Sequence, residues 1–299
     1  MGSVEDVARG SGRISGALTG PDVPPPRRDP VRTVVRTIGE VLITLGVVVL
    51  LFVIYEVYVT DLISAGKQRD ATAALDDRWK GEQDPQRVDH FEGLREGEGF
   101  AKMYIPAFGS DYQFTIIEGT TEKSLEIGPG HYIDTAYPGD PGNFAVAGHR
   151  VGKGAPFNDI DLLASCDAII VETQNKWYIY RVLPMADEVQ DWAEIAKTKP
   201  RCNVTGSQGR KQEVNPLPGD YARTVGREIV APSQGSVIAP IPHLPQSIGS
   251  AGDLEPLMTL TTCHPKFSDR QRLIIHAIMV DQWIKGTRGT GPPPEMKEG

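Results

Sequence analysis

Three residues able to do nucleophilic and acid–base chemistry stand at the ends of short apolar runs. Cys263 closes Thr259-Leu260-Thr261-Thr262 and is followed by His264-Pro265. Proline cannot donate to a strand ladder, so the strand is expected to stop there and leave the thiol where a substrate can reach it. A thiolate at such a place is a nucleophile, whereas a lone cysteine elsewhere is more often a buried apolar group. His149 follows Phe144-Ala145-Val146-Ala147-Gly148 and so sits at the mouth of a second expected strand, where an imidazole can take and return protons near neutral pH. Arg272 opens the run Arg272-Leu273-Ile274-Ile275. If 264–271 is a connection, the strands on either side pair antiparallel and a fixed cation lies near the thiol. There it would favour the thiolate and donate hydrogen bonds to a developing oxyanion. Arg270 competes for that place, because residues two apart on a strand point the same way. His264 neighbours Cys263 and therefore faces the other way, so it is not expected as the base. His276, mid-strand among apolar residues, is expected to be structural.

The elements that must position these groups are short and β-like. Met103–Ile105, Phe114–Glu118, Phe144–Ala147, Ala168–Glu172, Trp177–Val182, Leu257–Thr262 and Leu273–Val280 alternate with Gly, Pro and Asp turns. That texture predicts an all-β barrel or sandwich. Residues 185–235 form a long region with one expected helix, over Asp187–Thr198, and a Gly- and Pro-rich remainder. Asp140-Pro141 and the Asp159/Asp161 pair read as turn chemistry.

Upstream, Val41–Tyr55 carries no charge, and Thr37–Thr60 is long enough to span a bilayer. Arg27, Arg28, Arg32 and Arg36 precede it, which predicts a single pass with the N-terminus cytoplasmic and residues 61–299 outside. A cleaved signal peptide fits less well, because Ile63 stands where a small residue is needed. The expected organisation is a disordered tail over 1–36, an anchor over 37–60, and a stalk over 61–97 with a short helix near Ala71–Leu75. A globular domain over 98–284 and a disordered tail over 285–299 follow. Of the three cysteines at least one is unpaired within the chain. A Cys166–Cys202 bridge would leave Cys263 free, but spacing does not decide connectivity. The net charge is -8 with no long basic block, so no nucleic-acid partner is expected. No Cys-x-x-Cys pair or carboxylate cluster appears, so neither a metal site nor a cofactor is expected.

Together, Thr259-Leu260-Thr261-Thr262-Cys263, the downstream Arg272-Leu273-Ile274-Ile275 and the upstream Gly148-His149 resemble the sortases. Gly128-Pro129-Gly130-His131-Tyr132 and the run Asn143–Phe157 are similar to the class E sortases of actinobacteria. The resemblance covers residues 98–182 and 235–283. It implies a closed eight-stranded β-barrel with short helices behind one transmembrane helix. It also implies a cysteine transpeptidase that cleaves a Leu-Ala-x-Thr-Gly-type sorting signal on a secreted protein and joins the Thr carboxyl to a peptidoglycan amine. On this reading Cys263 is the nucleophile, His149 the acid/base and Arg272 the oxyanion partner. Thr262, Leu260 and Tyr132 would meet the substrate. The alternatives are a secreted thiol peptidase that does not transfer, and a surface binding module with an inert Cys263.

Overall fold

The computed structural model describes residues 29–80, 88–205, 211–244, 254–286 and 291–299. Residues 1–28 of the expected tail, 81–87 of the stalk and 206–210 of the long region lie outside them. Helix α1, Pro30–Ile54, has no buried residue and is long and apolar enough to cross a membrane. Its 25 residues rise about 37 Å, against about 30 Å of hydrocarbon.

Residues 52–299 are built around one closed sheet. Its strands are β1 (Gly99–Tyr104), β2 (Gln113–Glu118), β3 (Gly130–His131), β4 (Gly142–Ala147), β5 (Ala168–Glu172) and β6 (Lys176–Val182). After a small two-stranded sheet of β7 (Asn203–Thr205) and β8 (Lys211–Glu213) come β9 (Arg227–Val230), β10 (Pro256–His264) and β11 (Gln271–Ile284). The order β10-β4-β3-β2-β1-β5-β6-β11 closes through a β10–β11 pairing, and β9 hangs on β11 as a ninth strand. The expected eight-stranded barrel is therefore present. Each run expected as a strand lies wholly or largely within one. β3 and β9 were not foreseen; with two and four residues, they carry too little periodicity to announce themselves.

Alternation along the strands fills the barrel. Met258 and Leu260 of β10 point inward with Phe144 and Val146 of β4 and Leu273, Ile275 and Ala277 of β11. Leu260 is fully buried in that core, which corrects its assignment as a substrate contact: its side chain is packing.

The expected stalk is also corrected. Helix α2, Thr60–Trp79, is much longer than the expected piece and docks on the barrel. Leu75 is buried beneath it. Gln68 acts as a substitute strand: its Nε2 donates to the Thr115 and Ile127 carbonyls, and its Oε1 accepts from the Thr115 amide at 2.6 Å. The need arises because β3 pairs β2 only at Ile117 and Glu118, which leaves the Thr115 backbone unpaired on that side.

The long region 185–235 is ordered over its described residues. Cys166 and Cys202 form a disulfide across 36 residues, packed with Leu183, Trp192 and Val214. The expected helix is shorter than foreseen, α3 covering Trp192–Thr198.

Residues 291–299 do not behave as the disordered tail expected. Arg181 is fully buried, and Glu298 meets its two terminal nitrogens at 2.5 and 2.8 Å. A buried guanidinium needs such a partner, and a Pro-rich composition does not reveal one. Glu298→Ala removes the close carboxylate of that cation and leaves it the Cys166 carbonyl at 3.0 Å and Glu295 at 4.0 Å. We expect it to lower the unfolding free energy by about 3–5 kcal/mol in a urea titration; a loss under about 1 kcal/mol, the scale of surface pairs, would show that Arg181 is otherwise satisfied.

Candidate active site

β10 lies between two partners of opposite sense. On one side it pairs antiparallel with β11, and Cys263 stands directly across from Arg272. On the other it pairs parallel with β4, in the register Leu260↔Val146 and Thr261↔Ala147. β4 ends at Ala147, and the contact of Gly148 with Thr261 carries the next residues of that chain along β10. Cys263 and Arg272 thus face each other at the end of the barrel where β10 stops, and the segment that carries His149 leaves β4 at the same end. Arg270 lies beyond the end of β11 and is exposed, its guanidinium turned to Ser268 Oγ.

Local contacts hold this end of the barrel in place. The Gly148 amide donates to the Thr261 carbonyl at 3.0 Å, and the Thr262 hydroxyl donates to the Gly148 carbonyl at 2.7 Å. The buried Thr262 therefore ties the His149 segment to the Cys263 strand, which is a positioning contact. Gly148 is required by space: a Cβ there would lie 2.5 Å from the ring of Phe157, whose own amide donates to the His149 carbonyl. Tyr132 is half-buried, and its hydroxyl lies 3.0 Å from Thr261 Oγ1, on the same strand face as Cys263.

Arg150 was not singled out in the sequence, although it adjoins His149. It is buried, pairs with Asp161 at 3.0 Å and reaches His264 Nδ1 at 2.8 Å. Arginine only donates, so His264 Nδ1 accepts, and that imidazole is engaged away from the thiol. A buried arginine leaves no sequence signature beyond its type, and its partners lie 11 and 114 residues away.

Cys263 is half-exposed and free, while the other two cysteines are bridged. Burial holds the His149 imidazole below the usual histidine range, against a smaller upward pull from Glu126. His149 Nε2 is buried without a hydrogen-bond partner among the described residues. Its free state at neutral pH is thus the uncharged ring with an unclaimed nitrogen. Arg272 is steadied by its own turn, Nη1 donating to the Asp269 carbonyl at 2.8 Å and the Gln271 carbonyl at 3.0 Å. Its Nε and Nη2 meet no protein acceptor among the described residues, so donors remain for a ligand. A cavity of about 510 Å³ is lined largely by residues that follow His149 and Cys263 in the chain, among them Gly152, Pro156, Asp159, Lys266 and Phe267, and by none of the three themselves. This end of the barrel thus carries a free thiol, an imidazole kept neutral by burial and a guanidinium with unclaimed donors.

Two measurements test this geometry. Iodoacetamide is expected to label one cysteine per native chain, with Cys263→Ala abolishing the label; a thiol that reacts only in denaturant would contradict the exposed placement. In proton NMR the His149 ring is expected to titrate below the ordinary value of about 6.5. Glu126→Gln removes a charge that favours the imidazolium and is expected to lower it further; an upward shift would contradict the assigned field.

Residues 103–280 match the family model of the sortase domain. The chain is 32% identical over 255 residues to sortase SrtE1 of Streptomyces coelicolor, spanning 83% of this chain and 57% of that one. It is 31% identical over 278 residues to sortase SrtE2 of the same organism, spanning 88% of each. The chain thus spans little more than half the length of SrtE1. Among solved structures, the SrtF sortase from Corynebacterium diphtheriae is similar, with 45% identity and a TM-score of 0.61, over 70% of this chain and 97% of that one.

Proposed function

The chain belongs to the sortase family, and from that premise we propose that it is a membrane-anchored cysteine transpeptidase. The observation that supports the reading is the register of β10, with Cys263 opposite Arg272 on one side and the end of β4, from which His149 follows, on the other. The buried neutral His149 takes the proton of the Cys263 thiol. The resulting thiolate attacks the Thr carbonyl carbon of a sorting signal, and the charge formed on the carbonyl oxygen falls to the free donors of Arg272. When the carbon–nitrogen bond breaks, His149 returns its proton to the leaving Gly amine, and a thioester to Cys263 remains. An incoming free amine attacks that thioester, His149 accepts its proton, and the carbon–sulfur bond breaks to release the Cys263 thiolate, which takes that proton back from His149 and restores the starting thiol and imidazole. The protons balance at each step without a cofactor.

The finer reading is a Leu-Ala-x-Thr-Gly signal, favoured by the class E resemblance, with a peptidoglycan amine as acceptor. Tyr132 contributes a rim contact beside Thr261. The barrel faces the outside and the N-terminus the cytoplasm. Arg27 and Arg28 before α1 and Arg32 and Arg36 in its first turns support that orientation, and so does the Cys166–Cys202 disulfide, which persists in oxidising compartments.

The test is a ligation assay. Full-length protein in detergent, given a Leu-Ala-x-Thr-Gly peptide and a glycine amine, is expected to yield ligated peptide by mass spectrometry. Cys263→Ala should abolish it. Arg272→Lys keeps the charge and loses the fork of donors, so kcat is expected to fall by about 100-fold or more, the scale of losing one oxyanion donor. Free acid formed at the same rate with and without amine would make the protein a hydrolase. No cleavage of this peptide or of a Leu-Pro-x-Thr-Gly control would remove the transpeptidase reading.

A further inference from the structure

Outside the proposed catalytic residues, one side-chain cluster is arranged as a set of metal ligands. Glu228 Oε1 of β9 lies 2.9 Å from His276 Nε2 of β11 and 3.0 Å from His243 Nε2 of the segment before β10. All three ligand atoms lie within 4.8 Å of one another. His276 is fully buried, and the side chains of His243 and Glu228 are 9% and 19% exposed.

The surroundings fix the hydrogens. The Asn143 amide nitrogen faces the Val237 and Ala239 carbonyls at 3.3 and 3.1 Å, so the Asn143 oxygen faces Thr259. The Thr259 hydroxyl must then donate to Asn143 Oδ1, at 2.7 Å. Its only hydrogen is spent, so His276 Nδ1, at 2.8 Å, donates to Thr259. That leaves Nε2 as the ring nitrogen turned towards Glu228, at 2.9 Å, where either a proton or a metal ion must stand between the two. His243 Nε2 converges on the same oxygen and is buried without a well-formed hydrogen bond. Two imidazole nitrogens and one carboxylate oxygen thus point at one place that calls for a cation. A buried outer partner that holds a histidine in one tautomer is also the usual support of a metal ligand.

We propose that Glu228, His243 and His276 bind a zinc-type divalent metal ion, with water completing a tetrahedron. Ligand atoms about 3.3 Å apart suit metal–nitrogen and metal–oxygen bonds near 2.0–2.2 Å, so the cluster needs only a slight opening to accept the ion. The ion would tie together β9, β11 and the segment 231–244. β9 pairs β11 over only four residues, and one of those pairs is Val230 with Arg272. The site is therefore structural, steadying the wall beside Arg272, and takes no part in the peptide chemistry.

The experiment uses full-length Cys263→Ala protein in detergent, without a histidine tag and stripped by a chelator, so that no free thiol competes. Titration with Zn²⁺ alone, followed by calorimetry and elemental analysis, is expected to show one ion per chain. Co²⁺ is expected to give the intense visible bands of a tetrahedral site. Glu228→Gln and His243→Ala, both at the cluster's outer side, are each expected to weaken binding by about 100-fold or more, because losing a ligand exceeds the 10–100-fold cost of losing an outer partner. Absence of uptake by the parent protein would overturn the proposal and assign the place to a proton. Uptake that both variants leave unchanged would overturn it by locating the ion elsewhere. No peptide is present, so either result stands apart from the outcome of the ligation assay.

Discussion

The register of β10 between β4 and β11 is the constraint on which the rest depends. Side chains alternate along a strand, so one residue of slip would send Cys263 towards the core and bring Thr262 out. The register is held from inside by Met258 and Leu260, which have no other apolar place to go, and from the rim by polar contacts. Thr262 on the Gly148 carbonyl and the Gly148 amide on Thr261 extend the β4–β10 pairing past its last regular residue. Parallel pairing on one side and antiparallel on the other is what lets residues from distant parts of the chain line up at one end.

Around that end the protein separates charge from apolar surface. His149 emerges from a strand whose residues are all buried, and Phe157 packs against Gly148 just behind it. Burial explains why the ring favours its neutral form, and Glu126 keeps the charged form within reach. Arg150 serves the scaffold: its terminal nitrogens reach Asp161, His264 and the Cys263 carbonyl, while its Nε is buried without a partner among the described residues. Arg272 keeps its free donors because its own turn absorbs only one nitrogen. Two arginines close to one cysteine thus have different work, set by burial and partners rather than by type.

The sequence revealed elements whose periodicity is strong and residues whose neighbours form a pattern. Trp177–Val182 is legible as a strand from residue type alone, and Cys263, His149 and Arg272 stood out because each marks the end of an apolar run. What stayed hidden depends on contacts between distant segments. Gln68 standing in for a strand, Glu298 neutralising Arg181, and Glu228 meeting His243 and His276 each join residues with no common spacing. Leu260 was misjudged for a related reason: the motif that contains it is functional, but strand alternation turns alternate residues of any such motif into core. Composition misreads 291–299 because Pro and Gly content says little about a segment held by Glu298 on Arg181 and Arg201 and by the packing of Met296.

β10 and β11 also set the order in which the molecule can become competent. The other six strands of the closed sheet precede them in the chain, and none of these can complete the ring until both have been made. The bridge from Cys166 to Cys202 needs neither strand and can form earlier, in a molecule that is still open. Arg272 comes opposite Cys263 as soon as β10 and β11 pair, whereas the segment of His149 comes alongside only when β10 docks on β4. The last two strands to be made therefore decide when the three groups can first meet, and they stay apart in any chain that lacks those strands.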